Sequence, residues 1–566
     1  MTVLPVPKRS RPDLFYVGTT ILTVPPHVHA LSTPSLPAYC SRCSAARELK
    51  RCTKCRAVWY CSASCQNADW SLHKRECPSL IRWASSAPSS LPIPSDAIRC
   101  LGRTLWEIEA NGLTSIFTRE IASMQSNRPP PTAATQTETH AHLAHALVRY
   151  LGVSSPEELT KYGVQGVGGL VDLVARFTTN AITLTTPSLS PIGVIISPLA
   201  ALFNHSCAPN AVIVFPTHGS SSVNIRVVTL RDLHPGEEVL TAYVDTTLPR
   251  RERQQALRET YNFTCTCELC VSEEKEGGEV DPREAVLCPR AGCGGVWRVP
   301  EQGPSDDDME VDSSVANGSQ AAAQVTSRCT KCKHLINPVK LHEVSDAVRL
   351  GLEGYGEAVR VQNEDPARAY KLTKNLAPLL AGAGLAPSSH PLLGLLRLYQ
   401  QFELDRLGQA LNEIGGGRSS ESNVEELRTP GAEKTLGEEE KAHAKEAQEI
   451  LDDVVRTQAR IVRGLSDILV EGHPVRAVAL AELGKALSVD EPWPEVPPSP
   501  TTGSFPPHLA PRLQLALQTL LRSKRELEIG FGGDGGEVGR DVGEMMRRVE
   551  GELSVWREGV RSGGGR

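Results

Sequence analysis

A run of eight potential zinc ligands constrains this 566-residue chain more than any other feature of its sequence. The spacing is C-x2-C-x8-C-x2-C-x5-C-x3-C-x7-H-x3-C, and it fills fewer than forty residues. The ligands are Cys40, Cys43, Cys52, Cys55, Cys61, Cys65, His73 and Cys77. A segment this short cannot fold on a hydrophobic core alone, and structural zinc can supply the missing free energy. The pattern therefore predicts a compact segment folded around two zinc ions.

Two further groups of cysteines follow along the chain. Cys265, Cys267 and Cys270 are one ligand short of a tetrahedral set, and Cys207 is the obvious candidate to complete it. The other group has ribbon-like spacing, split by an acidic, polar loop over 301–327. Its members are Cys288, Cys293, Cys329 and Cys332. We therefore expect about four zinc ions, with only Cys100 left over as a small core residue.

The cysteine spacing also bears on the compartment. Close pairs suit a metal ion better than a disulfide framework, so we expect a reducing compartment, the nucleus or the cytoplasm or both. The segment Leu14–Pro26, behind a few cations, could pass for a signal-peptide core, and the cysteines argue against that interpretation. No apolar run is long enough to span a bilayer, so no membrane partner is expected.

The charge gives little attraction for nucleic acid. Sixty Lys and Arg stand against 66 Asp and Glu, a formal net charge of −6. The segment 40–77 carries +5, which two zinc–thiolate sites reduce to about +2. Cations that screen a thiolate-rich segment are the favoured interpretation, and direct nucleic-acid contact is the weaker alternative.

Hydrophobic patterning divides the chain into three parts. Behind the cysteine-rich part, 183–243 holds short β-branched runs without intervening helices, including 239–244, which argues against a doubly wound sheet. The last third carries successive amphipathic helical patterns, one opened by Pro474, and these need one another to bury their apolar faces. A stacked helical array is expected, although no clean 34-residue period is present.

Three motifs in the middle part resemble a known family. They are NHSCAPN (Asn204–Asn210), LHPGEEVLTAYVD (Leu233–Asp245) and YNFTCTCELC (Tyr261–Cys270), and together they resemble a SET domain with its post-SET tail. The eight-ligand segment resembles a MYND zinc finger, including WYCSASCQ (Trp59–Gln66). The whole chain is thus similar to the SET and MYND domain lysine methyltransferases.

This resemblance implies an α+β multidomain fold. A SET β-fold is interrupted by the MYND finger and a helical insertion, and is followed by a post-SET zinc site, a zinc-ribbon-like segment and a C-terminal all-α, TPR-like helical array. The expected domains are an N-terminal SET segment (1–39), the MYND finger (40–77), the helical insertion (96–175), the SET core (176–263), the post-SET tail (264–270), the ribbon-like segment (285–335) and the helical array (338–566).

The resemblance also implies ligand sets and site residues. In this family the finger ligands interleave, with Cys40, Cys43, Cys61 and Cys65 on one ion and Cys52, Cys55, His73 and Cys77 on the other. Tyr243 and Tyr261 are the expected catalytic residues: Tyr243 matches the family's catalytic tyrosine, and Tyr261 matches an aromatic wall of the lysine channel. Asn180, Asn204, His205 and Phe263 match contacts to the cofactor, S-adenosylmethionine. The expected substrate is a lysine of a histone or non-histone protein, and a proline-rich peptide is the expected ligand of the finger.

Purely structural roles are the alternative to some of these assignments. Taken singly, Asn204 could be a turn amide and Tyr243 an ordinary half-buried strand tyrosine. The trio His140, His142 and His145 is expected to be a solvated stretch, because offsets of two and five do not share a helix face.

One departure leaves a second hypothesis open. Family members carry a G-x-G near the start, and the corresponding segment Lys8–Leu22 contains none, so the N-terminal segment is expected to be short. The leading hypothesis is an S-adenosylmethionine-dependent protein-lysine N-methyltransferase, expected to be a monomer. The rival is a catalytically impaired SET and MYND adaptor that binds proline-rich partner peptides.

Overall fold

Short strands in the first half of the chain and long helices in the second define the architecture. The computed structural model describes residues 14–88, 91–128, 134–216, 222–274, 280–300, 327–416, 438–493 and 505–563. Within these ranges the strands are β1 (Thr20–Val24), β2 (Val28–Leu31), β3 (Lys50–Arg51), β4 (Trp59–Tyr60), β5 (Ile182–Thr185), β6 (Pro191–Ile196), β7 (Asn204–His205), β8 (Ala211–Val214), β9 (Ile225–Thr229), β10 (Leu240–Thr241), β11 (Val286–Leu287) and β12 (Val296–Trp297).

The helices fall into two groups. Those of the first half are α1 (Ala63–Ser86), α2 (Asp96–Asn111), α3 (Ile116–Ser123), α4 (Ala134–Leu151), α5 (Gly166–Asn180), α6 (Arg250–Tyr261) and α7 (Glu268–Glu274). Those of the second half are α8 (Pro338–Val361), α9 (Pro366–Ala383), α10 (Leu392–Gly416), α11 (Glu438–Ile468), α12 (Pro474–Leu487), α13 (Leu509–Gly530) and α14 (Gly536–Gly563). No helix among the described residues has an apolar stretch sufficient to cross a membrane.

Small sheets frame the first half. One has the order β1-β9-β8 and another the order β2-β6-β5, both antiparallel, so each combines a strand before the finger with strands more than 150 residues later. β7 and β10 form a short parallel pair. Four of the five residues of β9 are buried, which fits a strand with both faces packed.

Local signals set where several helices begin. The Ser62 hydroxyl accepts a hydrogen bond from the backbone N–H of Cys65, 3.2 Å away, and caps α1 inside the finger. Ser95 caps α2 in the same way. Pro474 occupies the first turn of α12, as its sequence position predicts, because a proline there loses no helical hydrogen bond.

The second half packs onto the first. Val214 and Val228 of the β1-β9-β8 sheet share a buried core with the leucines of the helical array. Arg226 Nη1 donates to the Phe531 carbonyl at 2.8 Å, and the Glu537 N–H donates to the Pro216 carbonyl at 2.9 Å. The sheet that carries β8 and β9 is therefore fixed against the last two helices.

Strand β11 joins the ribbon-like segment to the helical array. It pairs with β12 on one side, and on the other the Leu287 N–H donates to the Gly384 carbonyl at 2.7 Å. Trp297 of β12 is fully buried and donates its Nε1–H to the Leu287 carbonyl. The predicted α+β multidomain class is confirmed: small β-sheets, a cysteine-rich segment and helices between their strands, and a C-terminal helical region.

One strand is shorter than its sequence predicts. The β-branched run 239–244 forms a strand only over Leu240–Thr241. Beyond the strand, the Tyr243 N–H donates to the Nδ1 of His205 and not to a strand partner.

Candidate functional site

Four sets of side chains meet in the geometry of zinc ligands. The first finger site is Cys40, Cys43, Cys61 and Cys65; the second finger site is Cys52, Cys55, His73 and Cys77; the third site is Cys207, Cys265, Cys267 and Cys270; the fourth site is Cys288, Cys293, Cys329 and Cys332. Within each set all ligand atoms lie within 4.8 Å of one another. The finger sites interleave along the chain, and Cys207 stands with the three later thiols.

The distances fit zinc and exclude disulfides. Four sulfurs held at about 2.3 Å around one ion lie about 3.8 Å apart, whereas a disulfide brings two sulfurs to about 2.05 Å. The Sγ–Sγ distances are 3.6 Å for Cys43–Cys61, 3.5 Å for Cys207–Cys270 and 3.7 Å for Cys288–Cys332. All sixteen cysteines are free thiols, and Cys100 lies buried away from every cluster. The prediction of four zinc sites is confirmed.

Four aromatic rings stand against the third site. The ring centroids of Tyr243 and Tyr261 are 4.9 Å apart, those of His205 and Tyr243 are 5.3 Å apart, and those of His205 and Phe263 are 5.9 Å apart. These rings pack on the small core that contains Cys207, Cys265 and Cys270. We call His205, Tyr243, Tyr261 and Phe263 the aromatic cluster. The third site thus lies behind a cluster of half-buried aromatic rings.

His205 connects the third site to Tyr243. Its Nδ1 accepts the backbone N–H of Tyr243 at 3.0 Å, so Nε2 carries the proton and donates to the Cys207 Sγ at 3.3 Å. Burial lowers the pKa of His205 to about 4, which keeps the ring neutral as this hydrogen-bond pattern requires. The imidazole therefore fixes the position of Tyr243 relative to the zinc ligands.

The phenols of the cluster are held in the neutral form. Burial raises the pKa of Tyr243, with the nearby Glu238 carboxylate adding to the effect. Burial also raises the pKa of Tyr261, with Tyr243 as the second cause. The Tyr243 hydroxyl donates to the Phe203 carbonyl at 2.7 Å. A phenol oxygen and a carbonyl oxygen thus lie side by side at the cluster.

Asn204 lies at the exposed edge of this region. β7 pairs with β10 in parallel, placing Asn204 opposite Leu240, and the Asn204 Nδ2 donates to the Glu238 Oε1 at 2.6 Å. Asn210, buried at the end of the same segment, accepts the Leu240 N–H at its Oδ1. The segment 204–210 is therefore held tightly beside the strand that leads to Tyr243.

Asn180 is the last residue of α5. It is buried, and its Nδ2 donates to the carbonyls of Gln125 and Arg176, each at 2.7 Å. Two residues beyond Gln125, the Asn127 Nδ2 donates to the Tyr261 carbonyl at 2.9 Å. Sequence reasoning singled out neither Asn127 nor Glu238. Asn127 falls outside every motif, and Glu238 lies inside Leu233–Asp245 without a signal that pairs it with Asn204. The roles of Asn180, Asn204, His205, Tyr243, Tyr261 and Phe263 toward a cofactor or substrate remain predictions.

Two other sequence expectations meet the structure in different ways. His140 lies on α4 and is buried, with Nε2 3.2 Å from the Thr178 hydroxyl of α5, so the histidine stretch is not uniformly solvated as expected. His142 is exposed, as expected. The first thirteen residues, which include part of the segment without a G-x-G, lie outside the described residues.

Comparisons with known proteins place these features in context. A family model for the MYND finger matches residues 39–77, and one for the SET domain matches residues 102–244. N-lysine methyltransferase SMYD2 of Bos taurus is 29% identical over 283 residues, which are 49% of this chain and 60% of that protein. The Homo sapiens protein of the same name is 28% identical over 283 residues, which are again 49% of this chain and 60% of that protein. SMYD2-A of Danio rerio is 26% identical over 281 residues, 49% of this chain and 60% of that protein.

The fold and the four sites define a SET-domain protein with an inserted zinc finger. The chain spans about three fifths of the length of the curated relatives it matches. Both domain models match in one chain, so the chain carries a MYND finger and a SET domain, as its motifs predict, and it is similar to proteins named N-lysine methyltransferase.

Proposed function

We propose that this chain is a protein-lysine N-methyltransferase that uses S-adenosylmethionine and acts on histone or non-histone lysines. The observation that carries the proposal is the aromatic cluster supported by the third zinc site. Relatives named N-lysine methyltransferase and the match to the SET domain support the same activity.

The cluster suits a lysine side chain and its amine. Tyr243, Tyr261 and Phe263 are half-buried rings that can pack along the methylene stem of a lysine. An ammonium in such a place loses water, which lowers its pKa and favours the neutral amine. Only the neutral amine has the electron pair that forms the N–C bond to the methyl carbon, while the S–C bond of the donor's sulfonium breaks and a neutral thioether leaves.

Tyr243 is proposed to orient the reacting groups. Its raised pKa keeps the phenol protonated, so it does not compete with the lysine amine as a nucleophile. The phenol oxygen and the Phe203 carbonyl, 2.7 Å apart, offer two acceptors for polarised C–H or N–H groups. The contribution of Tyr243 is positioning within the cluster, which can account for several kcal/mol of a barrier.

The methyl donor is proposed to bind on the Asn204 side of the cluster. S-adenosylmethionine supplies a methyl group on a sulfonium, and its adenine and amino acid groups need one apolar face and several polar ones. Phe263 supplies a ring face, and Asn204 supplies an exposed amide beside Glu238. His205 and Asn180 complete the proposed contacts.

Methyl transfer to a lysine peptide array tests the proposal. Full-length protein is incubated with radiolabelled S-adenosylmethionine and arrayed lysine peptides, and donor binding is measured by calorimetry. Wild-type protein should label peptides, and Tyr243→Phe should lose most of the label while still binding the donor. Tyr399→Phe is the matched control, because the Tyr399 phenol donates to Asp453 within the helical array.

The adaptor hypothesis is the alternative outcome of the same experiment. A protein that neither binds the donor nor labels any peptide, while it retains its zinc, would support an adaptor and overturn the enzyme.

We further propose that the chain works as a monomer. We also propose that it resides in the nucleus, the cytoplasm or both, since its sixteen free cysteines fit a reducing compartment. Light scattering and fractionation of a tagged chain check these two points.

A further inference from the structure

The second finger site continues into a buried chain of hydrogen bonds. The His73 Nε2 lies 3.4 Å from the Cys52 Sγ and 3.7 Å from the Cys55 Sγ, so this nitrogen faces the ligand position. The other ring nitrogen, Nδ1, lies 3.3 Å from the Glu76 Oε2. A histidine that binds zinc through Nε2 carries its proton on Nδ1 and can donate it to that carboxylate.

The Glu76 carboxylate is held from outside the finger. Arg103, on α2 of the helical insertion, contacts both of its oxygens, with Nη2 2.6 Å from Oε2 and Nε 3.1 Å from Oε1. The Tyr150 hydroxyl of α4 lies 3.4 Å from the same Oε1. Glu76 thus receives hydrogen bonds from the finger and from two helices of the insertion.

The same arginine also holds a second carboxylate of the finger. Arg103 Nη2 lies 3.2 Å from the Asp69 Oδ2, which accepts a hydrogen bond from the Tyr60 hydroxyl at 2.8 Å. Arg103 therefore bridges two carboxylates of α1, Asp69 about one turn before His73 and Glu76 about one turn after it.

Burial makes this arrangement costly to break. Glu76 and His73 have 0% of their surface exposed, and Arg103 and Asp69 have 3% each. A buried carboxylate without its partner is strongly unfavourable, so removal of either member of such a pair is destabilising. Zinc with three thiolates and a neutral histidine adds a net charge of −1 close to the two carboxylates, so a cation is needed there.

We infer that Arg103 of the SET insertion is a positioning residue for the zinc ion of the second finger site, acting through Glu76 on His73. Zinc retention in this site and docking of the finger on α2 are therefore linked, and each stabilises the other. The inference concerns metal retention and stands whether or not the chain is a methyltransferase.

A chelator challenge on the full-length protein tests the inference site by site. Zinc-loaded chain is treated with EDTA and pulsed with N-ethylmaleimide, and mass spectrometry measures how fast each cysteine is alkylated. In Arg103→Met we expect Cys52, Cys55 and Cys77 to be alkylated about 10–100-fold faster than in the wild type, the range for loss of such an outer partner. The cysteines of the first finger site should keep their wild-type rates.

Arg75→Met is the matched control. Arg75 also joins α1 to α2, with Nη1 2.7 Å from the Glu109 Oε2 and 3.2 Å from the Trp106 carbonyl, and it has no described contact with Glu76 or His73. Its variant should release zinc at the wild-type rate. Equal alkylation rates in Arg103→Met and wild type would overturn the inference, and so would a uniform increase at all four sites.

Glu76→Gln covers the case in which Arg103→Met does not fold. The amide keeps the shape of the carboxylate and removes its charge, and circular dichroism checks the fold. We expect faster alkylation of the same three cysteines, and unchanged rates in this variant would also refute the role assigned to Arg103.

Discussion

The Sγ atoms of Cys207 and Cys270 lie 3.5 Å apart, although 63 positions separate the two residues. This contact joins the segment that carries Asn204 and His205 to the tail that carries Tyr261 and Phe263. One ion at the third site therefore holds together the two halves of the aromatic cluster.

Cys207→Ser should remove one zinc ion and the activity together. A hydroxyl is a poor substitute for a thiolate ligand, and the loss of the ion frees the tail from segment 204–210. We expect three zinc ions per chain and more than tenfold lower methyl transfer. Cys100→Ser should keep four zinc ions, since Cys100 is buried outside every cluster. Four ions in Cys207→Ser would contradict the assignment.

Elemental analysis of the purified full-length chain should return four zinc ions per chain. Each of the four sets offers four ligand atoms within 4.8 Å of one another. Two ions per chain would mean that the finger alone binds metal. Because zinc binding contributes folding free energy, stripping the metal at neutral pH should also lower the Tm.

The pH profile of methyl transfer should rise through the alkaline range. The amine of a lysine has a pKa near 10.4, so its neutral fraction grows about tenfold per pH unit below that value. Burial raises the pKa of Tyr243, so the phenol holds its proton beyond its usual value near 10. Because the folded-state pKa is the higher one, the free energy of unfolding is unaffected by Tyr243 below about pH 10 and falls above it. Initial rates between pH 7 and 10 test the predicted rise in methyl transfer. A fall in rate that follows phenol ionisation below pH 10 would contradict that prediction.

Two helical glycines should respond in opposite directions to alanine. A Cβ on Gly464 of α11 would lie 2.3 Å from the Pro387 carbonyl oxygen, so Gly464→Ala should cost about 1–3 kcal/mol. A Cβ on Gly543 of α14 would meet nothing within 4 Å, so Gly543→Ala should stabilise the chain by up to about 1 kcal/mol. Urea unfolding followed by circular dichroism measures both, and equal effects would contradict the packing of α11 on residue 387.

The sequence predicts the parts of this protein that depend on spacing. Ligand spacing is a local property of the sequence. It therefore predicts the finger, the ribbon-like set and the need of Cys265, Cys267 and Cys270 for a fourth ligand. Pro474 likewise marks the start of α12 because its effect is confined to one turn. Contacts such as Asn127 with the Tyr261 carbonyl, 134 positions apart, depend on how helices dock and leave no periodic signal.

Burial in tertiary contacts explains the remaining differences. The histidine offsets predict a solvated stretch that includes His140. In the structure α5 packs on α4, which buries His140 and places Thr178 beside it. The strand that precedes Tyr243 ends at Thr241, and the Tyr243 N–H donates to the His205 ring. Both outcomes depend on elements far away in sequence.

The pairing of β1 with β9 has a consequence for how the chain is made. Thr20 pairs with Val228, so the first strand leaves the ribosome roughly two hundred residues before its partner exists. The finger lies between them and has all eight of its ligands early, so it can capture metal and fold while the sheet is still incomplete. Zinc that is present during synthesis would therefore let the finger fold before β1 has its partner strand.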